Sequence, residues 1–246
     1  MNKHKGKRRM SYAPPEWLKK EAFNTIKTNI ELCGMDVKTV AITSCIPNEG
    51  KTEISMNTAM AFATAGKRVL LMDCDLRKSV LVARCKVPEA AQSSLGLTGY
   101  LVGKTDAEEA IVHTRIEGFD MIFAGSFPPN PVDLLSGERF AQILKYAREK
   151  YDIVILDTPP VGAVIDPVII SHKCDGTVLV ISSDTIKKKF AFQIKNRLQA
   201  ADCKILGAVI NNVQQKKHKH HYYYYYYYYS NGSRRKSNNS NRESEE

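Results

Sequence analysis

Apolar residues in this chain fall in short continuous runs that end in polar ones, with longer stretches of helical period between them. Residues 39–43, 68–72 and 151–156 read as strands buried on both faces, because their apolar positions do not alternate with polar ones. Residues 120–123, 177–181 and 204–210 extend the set. The stretches between them predict helices over 52–65, closed by Gly66, over 132–150 after Pro131, over Asp166–His172 and over 186–200. Such alternation predicts an α/β fold, a doubly wound and mostly parallel sheet with helices on both faces. Ahead of it, Pro14 and Pro15 precede a lead-in helix over Glu16–Leu32. No internal repeat interrupts this order. The chain is expected to divide into an arm and lead-in helix at 1–36, one α/β body at 37–213 and a disordered tail at 214–246.

Composition narrows the picture. At 246 residues and 43% hydrophobic content the chain can bury one sizeable core. It shows neither an apolar run of spanning length nor an apolar leader, so a cytosolic protein is expected. Six scattered cysteines without a CxxC pair fit reduced thiols. The net charge of +10 lies mostly at the ends. Residues 1–10 carry five basic groups and no acid, residues 216–246 carry a net +4, and +1 is left between them. Basic ends of this kind suit an anionic membrane face or, non-specifically, nucleic acid, and equally a solvated tail that aids solubility; recruitment to the inner membrane face is the expectation. No nucleic-acid partner is expected.

The chemistry lies in the loops after the strands. Ser44-Cys45-Ile46-Pro47-Asn48-Glu49-Gly50-Lys51-Thr52 joins the first strand to the first long helix, the context a phosphate-binding P-loop requires. There Pro47, Asn48, Glu49, Gly50, Lys51 and Thr52 are candidate nucleotide-binding residues. Backbone N–H groups at a helix start face phosphate oxygens, Lys51 reaches the β- and γ-phosphates, and the Thr52 hydroxyl is suited to Mg²⁺. Cys45 stands where GxxxxGK(S/T) has its first glycine. Asp73 and Asp75 end the second strand run and Asp157 ends another. Alternation sends Asp73 and Asp75 to one side. Asp157 has the position of a Walker B acid, so Asp75, Asp157 and Thr52 are candidate Mg²⁺ ligands. Lys51, Asp73, Asp75 and Asp157 are the candidate catalytic set. Either Asp73 or Asp75 could orient an attacking hydroxyl and take its proton late.

The tail holds a row of phenols: Tyr222, Tyr223, Tyr224, Tyr225, Tyr226, Tyr227, Tyr228 and Tyr229, flanked by Lys, His, Ser, Asn and Arg. It lacks the period of a buried segment, so each hydroxyl is a candidate phosphate acceptor.

Together these segments resemble the bacterial tyrosine kinases (BY-kinases) of capsule and exopolysaccharide systems. The loop pattern of that family is matched by Ser44, Pro47, Gly50 and Lys51. Its Walker A′ element, DxDxR, is matched by Asp73, Asp75 and Arg77, and its DTPP Walker B form by Asp157 to Pro160. The chain also carries the PPNP segment at Pro128 to Pro131 and a C-terminal tyrosine cluster. The resemblance implies a P-loop fold and a kinase that uses ATP and Mg²⁺ to phosphorylate the cluster of a neighbouring copy and other cytosolic proteins. It implies activation by a separate transmembrane adaptor. Arg77, Asn211 and Asn212 are carried over as nucleotide-binding residues. The family's ExxRxxR subunit contact aligns with Glu21, Asn24 and Lys27. Lys27 keeps charge without bidentate recognition and Asn24 keeps none, which weakens the contact that would close a ring of copies. A partitioning ATPase of the MinD/ParA type is the alternative. Those proteins carry a lysine where this chain has Ile46, and nothing in their function calls for a tyrosine row. A scaffold with a decayed nucleotide site is the third reading, opposed by the intact Lys51, Thr52, Asp73, Asp75 and Asp157.

Overall fold

The computed structural model describes residues 16–85 and 96–213, with side chains from Lys20 onward. The basic arm at 1–10 and the tyrosine row lie outside the described residues. The chain divides into two units, Met1–Asn211 and Asn212–Glu246, and only Asn212 and Val213 of the second are described.

The first unit opens with helix α1 (Glu16–Leu32), followed by β1 (Thr39–Ser44), α2 (Lys51–Thr64) and β2 (Val69–Asp73). Three short helices follow, α3 (Leu81–Arg84), α4 (Gly96–Leu101) and α5 (Ala107–Ala110), then the strands β3 (Val112–His113) and β4 (Phe119–Ile122). Helices α6 (Pro131–Ser136) and α7 (Glu138–Lys150) lead to β5 (Ile153–Asp157). The unit ends with α8 (Asp166–His172), β6 (Gly176–Ser182), α9 (Lys188–Ala200) and β7 (Ile205–Asn211).

The seven strands form one sheet in the order β3-β4-β2-β5-β1-β6-β7, parallel except for the β3–β4 pair. The apolar runs are continuous because both faces are covered, and successive residues serve opposite cores. Leu70, Met72, Val154 and Leu156 join the cluster with Leu135, Phe140, Ile143 and Ala147 from α6 and α7. Val69, Leu71, Ile153 and Ile155 join the cluster with Ile30 of α1 and Ile54, Ala59 and Phe62 of α2. A third cluster gathers Leu179 of β6 with Ile194 and Leu198 of α9.

The single helix expected over 132–150 is two helices. Gly137 ends α6 and begins α7 in extended geometry (φ −65, ψ 166), and its N–H donates to Asp133 O at 2.9 Å. The amphipathic period runs on across the break, so Leu135 and Phe140 enter the same core and pattern alone gave no sign of it. The break frees α6 to pack against α8 while α7 lies along the sheet.

The connection after β1 runs to β2 on one side, and the connection after β5 runs to β6 on the other. The neighbours β1 and β5 are therefore a switch point, where the carboxyl edge of an open α/β sheet leaves a crevice for ligand.

Candidate active site

The crevice is built first by the β1–α2 loop. Gly50 caps α2 in the left-handed region at φ 90, and a Cβ there would collide with the Asn211 side-chain amide. Only glycine meets both demands. Because α2 has no side-chain cap, the N–H groups of its first turn are left for an anion. Asn48 is the loop's other left-handed residue, at φ 66. Cys45 is not one, which explains why the first glycine of the pattern is dispensable. Its side chain instead packs with Val161 and Val168 in the third core cluster, and burial pushes its thiol up to about 12. Such a thiol stays protonated and inert at neutral pH.

The acids stand beside this loop. Asp73 and Asp157 are register partners on the adjacent strands β2 and β5, and both are buried. Burial first, and the Asp157 carboxylate second, raise the Asp73 carboxyl to about 7, although it accepts hydrogen bonds from the Ser79 hydroxyl and, at 3.1 Å, from Asp75 N–H. Burial also raises Asp157, opposed by the Lys51 charge and by hydrogen bonds from Thr52 and Ser55. The Ser55 hydroxyl lies 3.0 Å from Asp157 Oδ1. Lys51 Nζ lies 3.4 Å from both Asp75 Oδ2 and Thr52 Oγ1. The fold thus gathers Lys51, Thr52, Asp73, Asp75 and Asp157 at one point. Three buried carboxylates and a hydroxyl around one ammonium form a hard, net-negative oxygen set, which suits Mg²⁺. Among the described residues no three His, Cys, Asp or Glu side chains form a metal cage by themselves. Mg²⁺ bound through one or two carboxylates and phosphate oxygens does not require one.

Other expected residues are engaged with protein partners. Arg77 forms a fork on Asp166, with Nε at 2.7 Å and Nη2 at 3.1 Å. The Glu49 carboxylate accepts from backbone N–H groups, and Asn211 Nδ2 donates to Glu49 O at 2.9 Å. Pro47 lies within the loop. Asn212 sits in the left-handed region at φ 54. Lys27 pairs with Glu31 at 2.9 Å on its own helix, and Glu21 is exposed. Sequence reasoning missed Ser55, Ser79 and Asp166, which are single polar residues in no pattern. It also missed Gly162, whose N–H donates to Cys45 O at 3.0 Å and where a Cβ would collide with that carbonyl.

Fold and crevice define a P-loop nucleotide-binding domain, and residues 37–193 match the family described as AAA domain. "Tyrosine-protein kinase YwqD" of Bacillus subtilis (strain 168) is 40% identical over 80% of this chain and 82% of its own length. "Tyrosine-protein kinase CpsD" of Streptococcus pneumoniae serotype 4 (strain TIGR4) is 38% identical over 80% of this chain and 87% of its own. The solved kinase domain of Escherichia coli tyrosine kinase ETK superposes with a TM-score of 0.76, at 32% identity over 82% of this chain and 79% of that one. The chain belongs to this family of bacterial tyrosine-protein kinases. The MinD protein of Pyrococcus horikoshii OT3, with a TM-score of 0.62 at 22% identity over 74% of this chain and 72% of that one, shares the fold alone.

Proposed function

We propose that this kinase transfers the γ-phosphoryl group of ATP, bound with Mg²⁺, to the tyrosine row 222–229 of a neighbouring copy. One observation carries the reading: Lys51 and Thr52 meet the buried acids of two adjacent strand ends at the mouth of an uncapped helix. Thr52, Asp157 and Asp75 would hold Mg²⁺, whose chemistry when bound would be to neutralise charge on the phosphates. Lys51 reaches the β- and γ-phosphates, and the amides of residues 50–53 cradle them. Asp73, with its proton affinity raised toward neutrality, orients the phenol and takes its proton late. Asp75, committed to Lys51 and to Lys78 N–H, is the weaker candidate for that task.

Further protein substrates, activation by a transmembrane adaptor, recruitment to the inner membrane face and control of capsule or exopolysaccharide synthesis belong to the same proposal. A 35% identical relative named for the cps region of Klebsiella pneumoniae supports the pathway. Among the described residues no helix is long and apolar enough to cross a membrane. Purified chain incubated with Mg-ATP should gain phosphotyrosine in the tail peptide by mass spectrometry, and Lys51→Met should gain none. Equal modification of Lys51→Met would assign the phosphate to another kinase, and an unmodified tail would favour a nucleotide switch.

A further inference from the structure

We propose that Glu49 and Asn211 are positioning residues that hold the phosphate loop in its ligand-ready shape by bracing it against the carboxyl ends of β6 and β7. The proposal rests on the reading that this loop grips nucleotide phosphates.

Glu49 is 1% exposed. Its Oε2 accepts from Cys45 N–H at 2.7 Å and Ile46 N–H at 2.9 Å, and its Oε1 accepts from Ser182 N–H at 3.0 Å. The first two donors are the opening turn of the loop itself, and the third is the last residue of β6. Asn211, the last residue of β7, donates Nδ2 to Glu49 O at 2.9 Å and lies against Gly50. Residue 49 is therefore gripped by its side chain from one strand and by its carbonyl from the next. The following residue begins the helix whose amides face the ligand.

The loop requires this grip for a physical reason. With Cys45 at its first turn, two loop amides point inward and would be orphaned if no acceptor met them. One carboxylate satisfies both and also ties the turn to the sheet. Hydrogen bonds to a buried charge are among the stronger ones. A loop that is only partly in the competent shape binds with its affinity reduced by that fraction.

Glutamine tests this sharply. Its amide has one accepting oxygen and one donating nitrogen. In either orientation the NH₂ group of Glu49→Gln confronts a backbone N–H, that of Ser182 or those of Cys45 and Ile46. The full chain is compared with Glu49→Gln and Asn211→Ala by hydrogen exchange without nucleotide and by equilibrium binding of Mg-ADP. Wild type should protect the amides of Cys45, Ile46 and Ser182. Glu49→Gln should lose that protection while amides in the middle of β2 and β5 keep theirs, and its Kd for Mg-ADP should rise about 10- to 100-fold. Asn211→Ala, which loses one neutral bond, should raise Kd about 2- to 10-fold. Should Glu49→Gln not fold, Asn211→Ala decides alone. Wild-type affinity with wild-type protection in the variants overturns the brace. A wild-type chain that binds no Mg-ADP overturns the nucleotide reading instead.

Discussion

Asp73, the proposed proton acceptor, sits where its burial works against the fold. Its carboxyl is buried beside Asp157, and its pKa of about 7 lies well above the ordinary 3.8. Between those values the folded chain holds a proton that the unfolded chain releases, so stability is present at low pH and falls as pH rises from about 4 to 7. Asp73→Asn keeps the shape and removes the titration. The nucleotide-free variant should therefore melt above wild type at pH 8 in scanning calorimetry, with the gap closing as pH falls to about 4. Phosphoryl transfer should meanwhile drop about 10²- to 10⁴-fold, the range of a lost general base. A pH-independent gap would mean that Asp73 is ionised in the fold. Unchanged transfer would move the proton-accepting role to Asp75.

Among the elements, the decisive contact joins the loop after β2 to α8. Asp166 at the start of α8 is 0% exposed and Arg77 is 35% exposed, and the two meet in a bidentate pair. The unequal burial predicts an unequal cost. Arg77→Ala strands a buried carboxylate and should destabilise the chain by about 3–5 kcal/mol. Asp166→Ala leaves an arginine that can turn to water and should cost clearly less. Urea denaturation of both variants checks the order, and equal losses would show that the pair acts only through its packing. The same contact explains how the A′ loop keeps its place, with Asp75 turned to Lys51. Element boundaries have local causes too. Asp106 and Glu109 form a capping box that starts α5, a local signal carried by a helix of only four residues. The division of α6 from α7 had no such signal beyond Gly137 within an unbroken amphipathic period.

For the whole molecule, parallel strands put every chemical group at one edge of the sheet, and β7 ends at that edge against the phosphate loop. Tyr222 follows Asn211 by eleven residues, a span of at most about 36–40 Å. Transfer between copies is the proposal, and mixing tests it. Lys51→Met with its tail intact, combined with an active copy ending at Val213, should be phosphorylated on the row at a rate that rises with the concentration of the active copy. An unmodified row would confine transfer to one chain. Each phosphate adds about −1.5 to −2 charges, so eight of them would more than reverse the +4 of residues 216–246.

The amino-acid order alone determined the alternation of strands and helices, the phosphate loop, the acids at the strand ends and the tyrosine row. Each of these is local: a period, a spacing or a composition. Tertiary structure alone decided that Asp73 and Asp157 are neighbours in register, that Arg77 faces Asp166, and that Glu49 and Asn211 hold the loop. Those pairs lie far apart in sequence or carry no pattern. They meet because strand order places β5 between β1 and β2 and brings the ends of β6 and β7 to the loop. Strand order follows from which faces bury best against which helices, a property of the assembled core that no single segment carries.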